Sequence, residues 1–250
     1  MARILFNVGL FILLQGVIVP AGFAEQIRVA VASNFLNPMK VISKKFEAHS
    51  GNRIVISSGS SGRFYAQIKN GAPYDLFFSA DQEKPLKLEK EGLTIPGFNM
   101  TYATGTLVLW STKQGYFKTD ERLKNGKFSR IAMANPKLAP YGLAAKEVLE
   151  RLGLTSSVKS KQVNAENIAQ TFQFVSSGNA DLGFVARSQL VGVSEDQMGT
   201  QWVIPSDLHQ PIKQNLVLLK RADNKKAARA FYEFMKSDST KELIKSFGYQ

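Results

Sequence analysis

The feature that most limits what this chain can become is an alternation of periods. Short runs repeating every two residues give way to runs repeating at helical spacing, with glycine or proline at many of the joins. Ile27-Arg-Val-Ala-Val-Ala32 sets Ile27, Val29 and Val31 on one side of a strand, and Leu36, Met39, Ile42 and Phe46 then recur along a helix. The pair returns as strand 53–57 with helix 63–69, then as strand 76–79 followed by Asp81, a residue type that caps helix N-termini. Residues 106–110 and 130–134 read as strands, and Gly142 to Leu152 as a helix ended by Gly153. Glu166 to Val175 is a helix that runs through Ser-Ser-Gly178 into strand 180–185. Residues 201–204 and 215–219 add the last strands, and helices over about 223–236 and 239–246 finish the chain.

Strands alternating with helices predict an α/β fold whose sheets are mostly parallel, with helices on both faces. A length of 250 residues suits two lobes better than one. No repeat or long linker separates them, so the chain must cross between lobes within short segments. In such sheets ligands bind beside loops that leave the C-terminal strand ends. Those loops are Ser33-Asn34, Ser57 to Gly62, Asn135 to Gly142, and the turn from Asn164 to Ile168.

The first 24 residues follow a different logic. MARILFNVGLFILLQGVIVPAGFA holds one cation, Arg3, and no acid; its apolar run from Ile4 to Leu14 is too short to span a bilayer. Gly22 and Ala24 give the small-x-small pattern of a signal-peptidase site before Glu25, so residues 1–24 read as an export signal. The chain has no cysteine, hence no residue to carry a lipoprotein's lipid. The expected product is a free, monomeric periplasmic protein.

The missing cysteine also excludes disulfides, Cys-ligated zinc, iron–sulfur clusters and thiol nucleophiles. His49 and His209 are the only histidines, too few for a multi-histidine metal site and little to build a Ser-His-Asp triad from. HExxH and Gly-x-Ser-x-Gly are absent, and Gly59-Ser-Ser-Gly62 lacks the Gly-Lys-Ser/Thr of a phosphate loop. No enzyme and no cofactor is expected. The net charge of +12 is scattered, with Lys44-Lys45 and Lys225-Lys226 the only adjacent lysine pairs. That pattern predicts no nucleic-acid partner and favours steering of small anions.

What remains is four helix starts at comparable sheet edges. Ser60 or Ser61 is placed to cap the helix of residues 63–69, and the same helix end offers unpaired N–H groups and a positive dipole. Ser33 and Asn34 open the first helix, Tyr141 lies at the third, and the turn at 165–168 leads into the fourth. Lys137 is the only fixed cation in these loops. Neutral donors suit an oxyanion without protons, whereas monoprotonated phosphate needs an acceptor for its own proton. Glu166, the only acid nearby, reads as a capping or dipole residue. Sulfate, molybdate and tungstate therefore fit better than phosphate. A ferric-ion site would call for clustered tyrosines, and the seven present include no adjacent pair.

At these loops the sequence resembles the periplasmic molybdate-binding proteins of ABC transporters, the ModA family. The resemblance rests on VAVASNF at 29–35, SSGSSGRFYAQIKNGAPYDLFFSADQ at 57–82 and APYGLAAKEVLERLG at 139–153, with AENIAQTFQFVSSGNADLGFVARS at 165–188 and AFYEFMKSDSTKELIKSFGY at 230–249. It implies a two-lobe class II periplasmic-binding fold, with one lobe from residues 25–104 plus 213–250, the other from 105–212, and the ligand in the cleft. It further implies hydroxyl and amide donors from Ser33 and Ser61, and backbone N–H donors from Tyr141 and Ile168. Many members place a tyrosine hydroxyl where this chain has Ala186, and Asn34 is the candidate to replace that donor. The implied role is capture of molybdate or tungstate for an inner-membrane ABC permease.

Overall fold

The computed structural model describes residues 24–250. The export signal read over residues 1–24 lies outside them, apart from Ala24. The chain forms two lobes, each built on a five-stranded sheet.

The first half of the chain runs β1 (Gln26–Ala32), α1 (Leu36–Ser50), β2 (Arg53–Gly59), α2 (Ser61–Lys69), β3 (Leu76–Phe78), α3 (Glu83–Lys90) and β4 (Thr94–Gly105). It then passes through β5 (Leu107–Ser111), α4 (Glu121–Asn125), β6 (Ile131–Ala134), α5 (Pro140–Arg151), α6 (Thr155–Lys159), β7 (Gln162–Ala165) and α7 (Ile168–Ser176). The rest is β8 (Leu182–Ala186), α8 (Arg187–Leu190), α9 (Glu195–Met198), β9 (Thr200–Val203), β10 (Ile212–Leu219), α10 (Lys226–Phe234) and α11 (Asp238–Ser246). One sheet has the order β2-β1-β3-β10-β4 and the other β7-β6-β8-β5-β9.

The period-two reading of β1 holds. Ile27, Val29 and Val31 pack in one core with Met39, Ile42 and Phe46 of α1 and Phe231 of α10. Ala30 faces the opposite layer with Phe64, Ile68, Phe77 and Val217. A sheet apolar on both faces needs helices on both, and α1 and α10 cover one side while α2 and α3 cover the other. The second sheet repeats this arrangement, with Leu107 and Leu109 of β5 in one core and Val108 and Trp110 in another.

One expectation needs correcting: the sheets are mixed rather than mostly parallel. β1 pairs in parallel with β2 and β3, but β10 runs antiparallel to β3 and β4. Likewise β6 is parallel to β7 and β8, whereas β5 is antiparallel to β8 and β9. Parallel pairing needs a helical crossover between successive strands. Where the chain changes lobe no α-helix intervenes: only Thr106 separates β4 from β5, and a short 3-10 turn lies between β9 and β10.

The sequence reading passed over β4 and β7. β4 is an edge strand whose Pro96, Gly97 and Asn99 interrupt alternation, and its ladder with β10 slips register twice. Edge strands tolerate such residues because one row of their backbone groups faces outward. Asp81 does act at the start of α3, its Oδ1 accepting the N–H of Lys84 at 3.0 Å.

Candidate binding site

Three helices start at one place. Ser61 is the first residue of α2, Tyr141 the second of α5 and Ile168 the first of α7. First-turn N–H groups have no acceptor within their own helix. Among the described residues, none of these three N–H groups donates to a protein acceptor. Pro140, at the first position of α5, has no N–H to leave unpaired and a φ already suited to the helix. The free donor there passes to Tyr141.

The three helix ends meet at a small cavity between the lobes. Ser33, Asn34, Ser60 and Ser61 line it from one lobe, and Tyr141, Asn167 and Ile168 from the other. All five residues singled out in the sequence stand around it. Its space free of protein atoms is about 200 Å³, part of it open to solvent. Counted as room for the centre of a water-sized sphere it is about 10 Å³, enough for about one water with the lobes as close as they are here. No charged side chain lines it. Glu166 is instead paired with Arg63 across the rim, both side chains well exposed, and Lys137 is exposed.

Ser33 and Ser61 occupy different states. Ser33 Oγ reaches across the cleft, donating to Asn167 Oδ1 at 3.3 Å and accepting from the N–H of Ala169 at 3.4 Å. Ser61 Oγ accepts the N–H of Ala80 at 2.9 Å, which leaves its proton free to donate. Helix α7 is capped by Asn167, whose Oδ1 takes the N–H groups of Ala169 and Gln170. Sequence reading missed Asn167, although an asparagine just before an apolar helical run is a cap signal. It also missed Gln189, which accepts the N–H of Ala186 at 2.9 Å and donates to the carbonyl of Ile168 at 3.0 Å.

Two expectations are revised by the geometry. The helix starting at Ser61 has Ser60 at its cap position, yet neither serine hydroxyl caps it. The Gly62 N–H that such a cap would engage goes instead to Leu138 O of the opposite lobe at 2.9 Å. Asn34, the candidate replacement for a donor at position 186, has its side-chain N–H groups turned to Gln214 Oε1 at 2.8 Å and Tyr249 Oη at 3.0 Å. Its carboxamide anchors the loop, so any donor it gives the cavity must be its backbone N–H. Ala186 itself is buried at the end of β8, outside the cavity lining.

Behind the cavity lies a buried polar network. Tyr102 donates to Gln214 Oε1 at 3.0 Å, and Gln214 Nε2 donates to Tyr141 Oη at 3.3 Å. Tyr249 donates to the Asn34 carbonyl at 2.9 Å and lies 3.0 Å from Ser188 Oγ. Burial pushes the hydroxyls of Tyr102, Tyr141 and Tyr249 well above the usual tyrosine range. All three remain neutral, and the network joins the two lobes without placing a charge near the cavity.

Comparisons with known proteins agree on what this arrangement resembles. Residues 27–250 match the family described as bacterial extracellular solute-binding protein. A molybdate-binding protein ModA of Azotobacter vinelandii is 46% identical over 94% of this chain and 93% of its own length. One from Rhodobacter capsulatus is 40% identical over 95% and 92%. A solved structure of the Azotobacter vinelandii periplasmic molybdate-binding protein superposes with a TM-score of 0.86, at 40% identity, covering 90% of this chain and 98% of that one.

Proposed function

Because the chain belongs to the ModA family of bacterial extracellular solute-binding proteins, we propose that it captures molybdate, and tungstate with it, for uptake through an ABC permease of the inner membrane. It is a solute-binding protein and not an enzyme, and the oxyanion is its cargo rather than a cofactor. The protein works as a periplasmic monomer, exported by residues 1–24 and without a lipid anchor. Its lobes are residues 25–104 with 213–250, and residues 105–212.

One observation carries this reading: the free N–H groups of Ser61, Tyr141 and Ile168 converge with the hydroxyls of Ser33 and Ser61 on a cavity lined by no charge. Hydrogen bonds to an ionised acceptor are about twice as strong as neutral ones, and helix N-termini add a favourable dipole. An anion enclosed by such donors needs no counter-cation. The absence of a carboxylate from the lining supports a fully deprotonated oxyanion over monoprotonated phosphate. The lining supports an oxyanion over a ferric ion for a different reason: it holds one tyrosine, Tyr141, whose hydroxyl accepts from Gln214 Nε2, where a ferric site would draw on clustered tyrosines.

Both lobes must touch the ligand at once, so binding is coupled to closure. Here the lobes already meet, through Gly62 N–H to Leu138 O at 2.9 Å and Ser33 Oγ to Asn167 Oδ1 at 3.3 Å. The test is a thermal-shift series on ligand-free protein with molybdate, tungstate, sulfate and phosphate. A ligand at 100 times its Kd adds about 2.7 kcal/mol of stability. Shifts with molybdate and tungstate but not sulfate are expected; a shift with sulfate alone would reassign the cargo.

A further inference from the structure

Four buried side-chain polar atoms among the described residues have no hydrogen-bond partner: Asn34 Oδ1, Ser43 Oγ, Ser60 Oγ and Asp75 Oδ1. Of these residues only Asn34 and Ser60 line the interlobe cavity. Asn34 Oδ1 is an acceptor and has nothing to give an anion. Ser60 Oγ carries a proton.

Ser60 is 3% exposed and stands immediately before α2, where a serine hydroxyl ordinarily accepts an N–H of the first turn. That bond is not made here: the Gly62 N–H crosses to Leu138 O, and the Arg63 N–H, the other group a cap would engage, is not taken up by the hydroxyl. A buried hydroxyl without a partner is destabilising by about 1–3 kcal/mol, and alanine would fill the same position without that penalty. Left unpaired by the protein, the hydroxyl is free to donate to whatever occupies the cavity.

We infer that the Ser60 hydroxyl is a direct donor to the bound oxyanion, a third hydroxyl from the same lobe beside those of Ser33 and Ser61. The inference rests on the oxyanion reading of the cavity given above. It assigns Ser60 a role separate from its neighbour. Ser61 is tied to the Ala80 N–H and contributes to the fold as well as to the ligand. Ser60 contributes to the ligand alone.

The test is titration calorimetry of wild type, Ser60→Ala and Ser61→Ala with molybdate, tungstate, sulfate and phosphate, alongside melting of each ligand-free protein. Ser60→Ala is expected to weaken the best-bound oxyanion roughly ten- to hundredfold, the range for a hydrogen bond to a charged group. Its ligand-free melting temperature should hold or rise, whereas that of Ser61→Ala should fall. Affinity within twofold of wild type would overturn the assignment while leaving the oxyanion reading intact. A lower melting temperature at unchanged affinity would make Ser60 a helix cap. If wild type binds none of the four anions, the oxyanion reading and the Ser60 donor fall together.

Discussion

The two lobes bring different chemistry to one cavity. The lobe containing β1 and α2 presents the side-chain hydroxyls of Ser33, Ser60 and Ser61 beside the backbone of α2. The lobe containing α5 and α7 presents backbone N–H groups, at Tyr141 and Ile168, whose own side chains are buried in its core. Hydroxyls can be deleted one at a time by substitution. Backbone donors cannot, and depend on whatever holds the helix start in place: Pro140 for α5 and Asn167 for α7. Specificity is therefore easy to alter from one lobe and hard to alter from the other, unless charge is introduced.

Introducing charge is the harshest way to break the symmetry of outcome. Asp caps helices about as well as Asn and interacts better with the helix dipole, so Asn167→Asp should leave the melting temperature unchanged or higher. The same carboxylate would line the cavity. At a separation of about 6 Å and an effective dielectric of about 20, it opposes a dianion by about 5 kcal/mol. Thermal melting and titration calorimetry on one sample should thus show a stable protein whose oxyanion affinity has fallen more than about a thousandfold. Retained binding would mean that position 167 does not face the ligand.

A smaller loss is expected from the hydroxyl lobe. Ser33→Ala with Ser61→Ala removes two donors, each worth about 1.5–3 kcal/mol toward a charged acceptor. Affinity should drop by at least about a hundredfold. Ser61→Ala also leaves the buried Ala80 N–H without its acceptor, so part of the damage will appear as a lower melting temperature in the absence of ligand. The double variant binding molybdate as well as wild type would remove both serines from the site.

How much of this was legible in the sequence depends on what each residue answers to. β1 and α1 declared themselves through period, β1 by the alternation of Ile27, Val29 and Val31 and α1 by one apolar face at Met39, Ile42 and Phe46. The helix starts near Ser61 and Tyr141 were legible because strand-to-helix turns are local signals, whereas Ile168 came from the family resemblance and its cap, Asn167, was passed over. What stayed hidden was set by the opposite lobe. Ser60 looks like an ordinary cap until its hydroxyl is found unpaired and the Gly62 N–H is seen to cross to Leu138 O. Asn34 looks like a free donor until Gln214 and Tyr249, 180 and 215 residues away, are found holding its amide. The mixed sheets were hidden for a related reason: helix-to-strand alternation lapses where the chain changes lobe.

The contact between lobes yields the mildest test, and one with two readouts expected to move apart. A Cβ placed on Gly62 would lie 3.0 Å from Leu138 Cα and 3.1 Å from its carbonyl oxygen, both backbone atoms of the opposite lobe. Nothing within its own lobe is among the three nearest atoms. The φ of Gly62 is not in the left-handed region, so alanine is conformationally acceptable there. Within a helix, alanine is favoured over glycine by about 1 kcal/mol. Gly62→Ala should therefore keep or raise the melting temperature of the ligand-free protein while opposing full closure. Pushing the backbones apart by a few tenths of an ångström weakens the Gly62 N–H to Leu138 O bond and loosens every donor that depends on both lobes. About a tenfold loss of affinity is expected, a change of about 1.4 kcal/mol. Calorimetry and melting read the two effects separately. Falls in both would place the damage inside the α2 lobe, and unchanged affinity would mean that the ligand is held without the lobes meeting at Gly62.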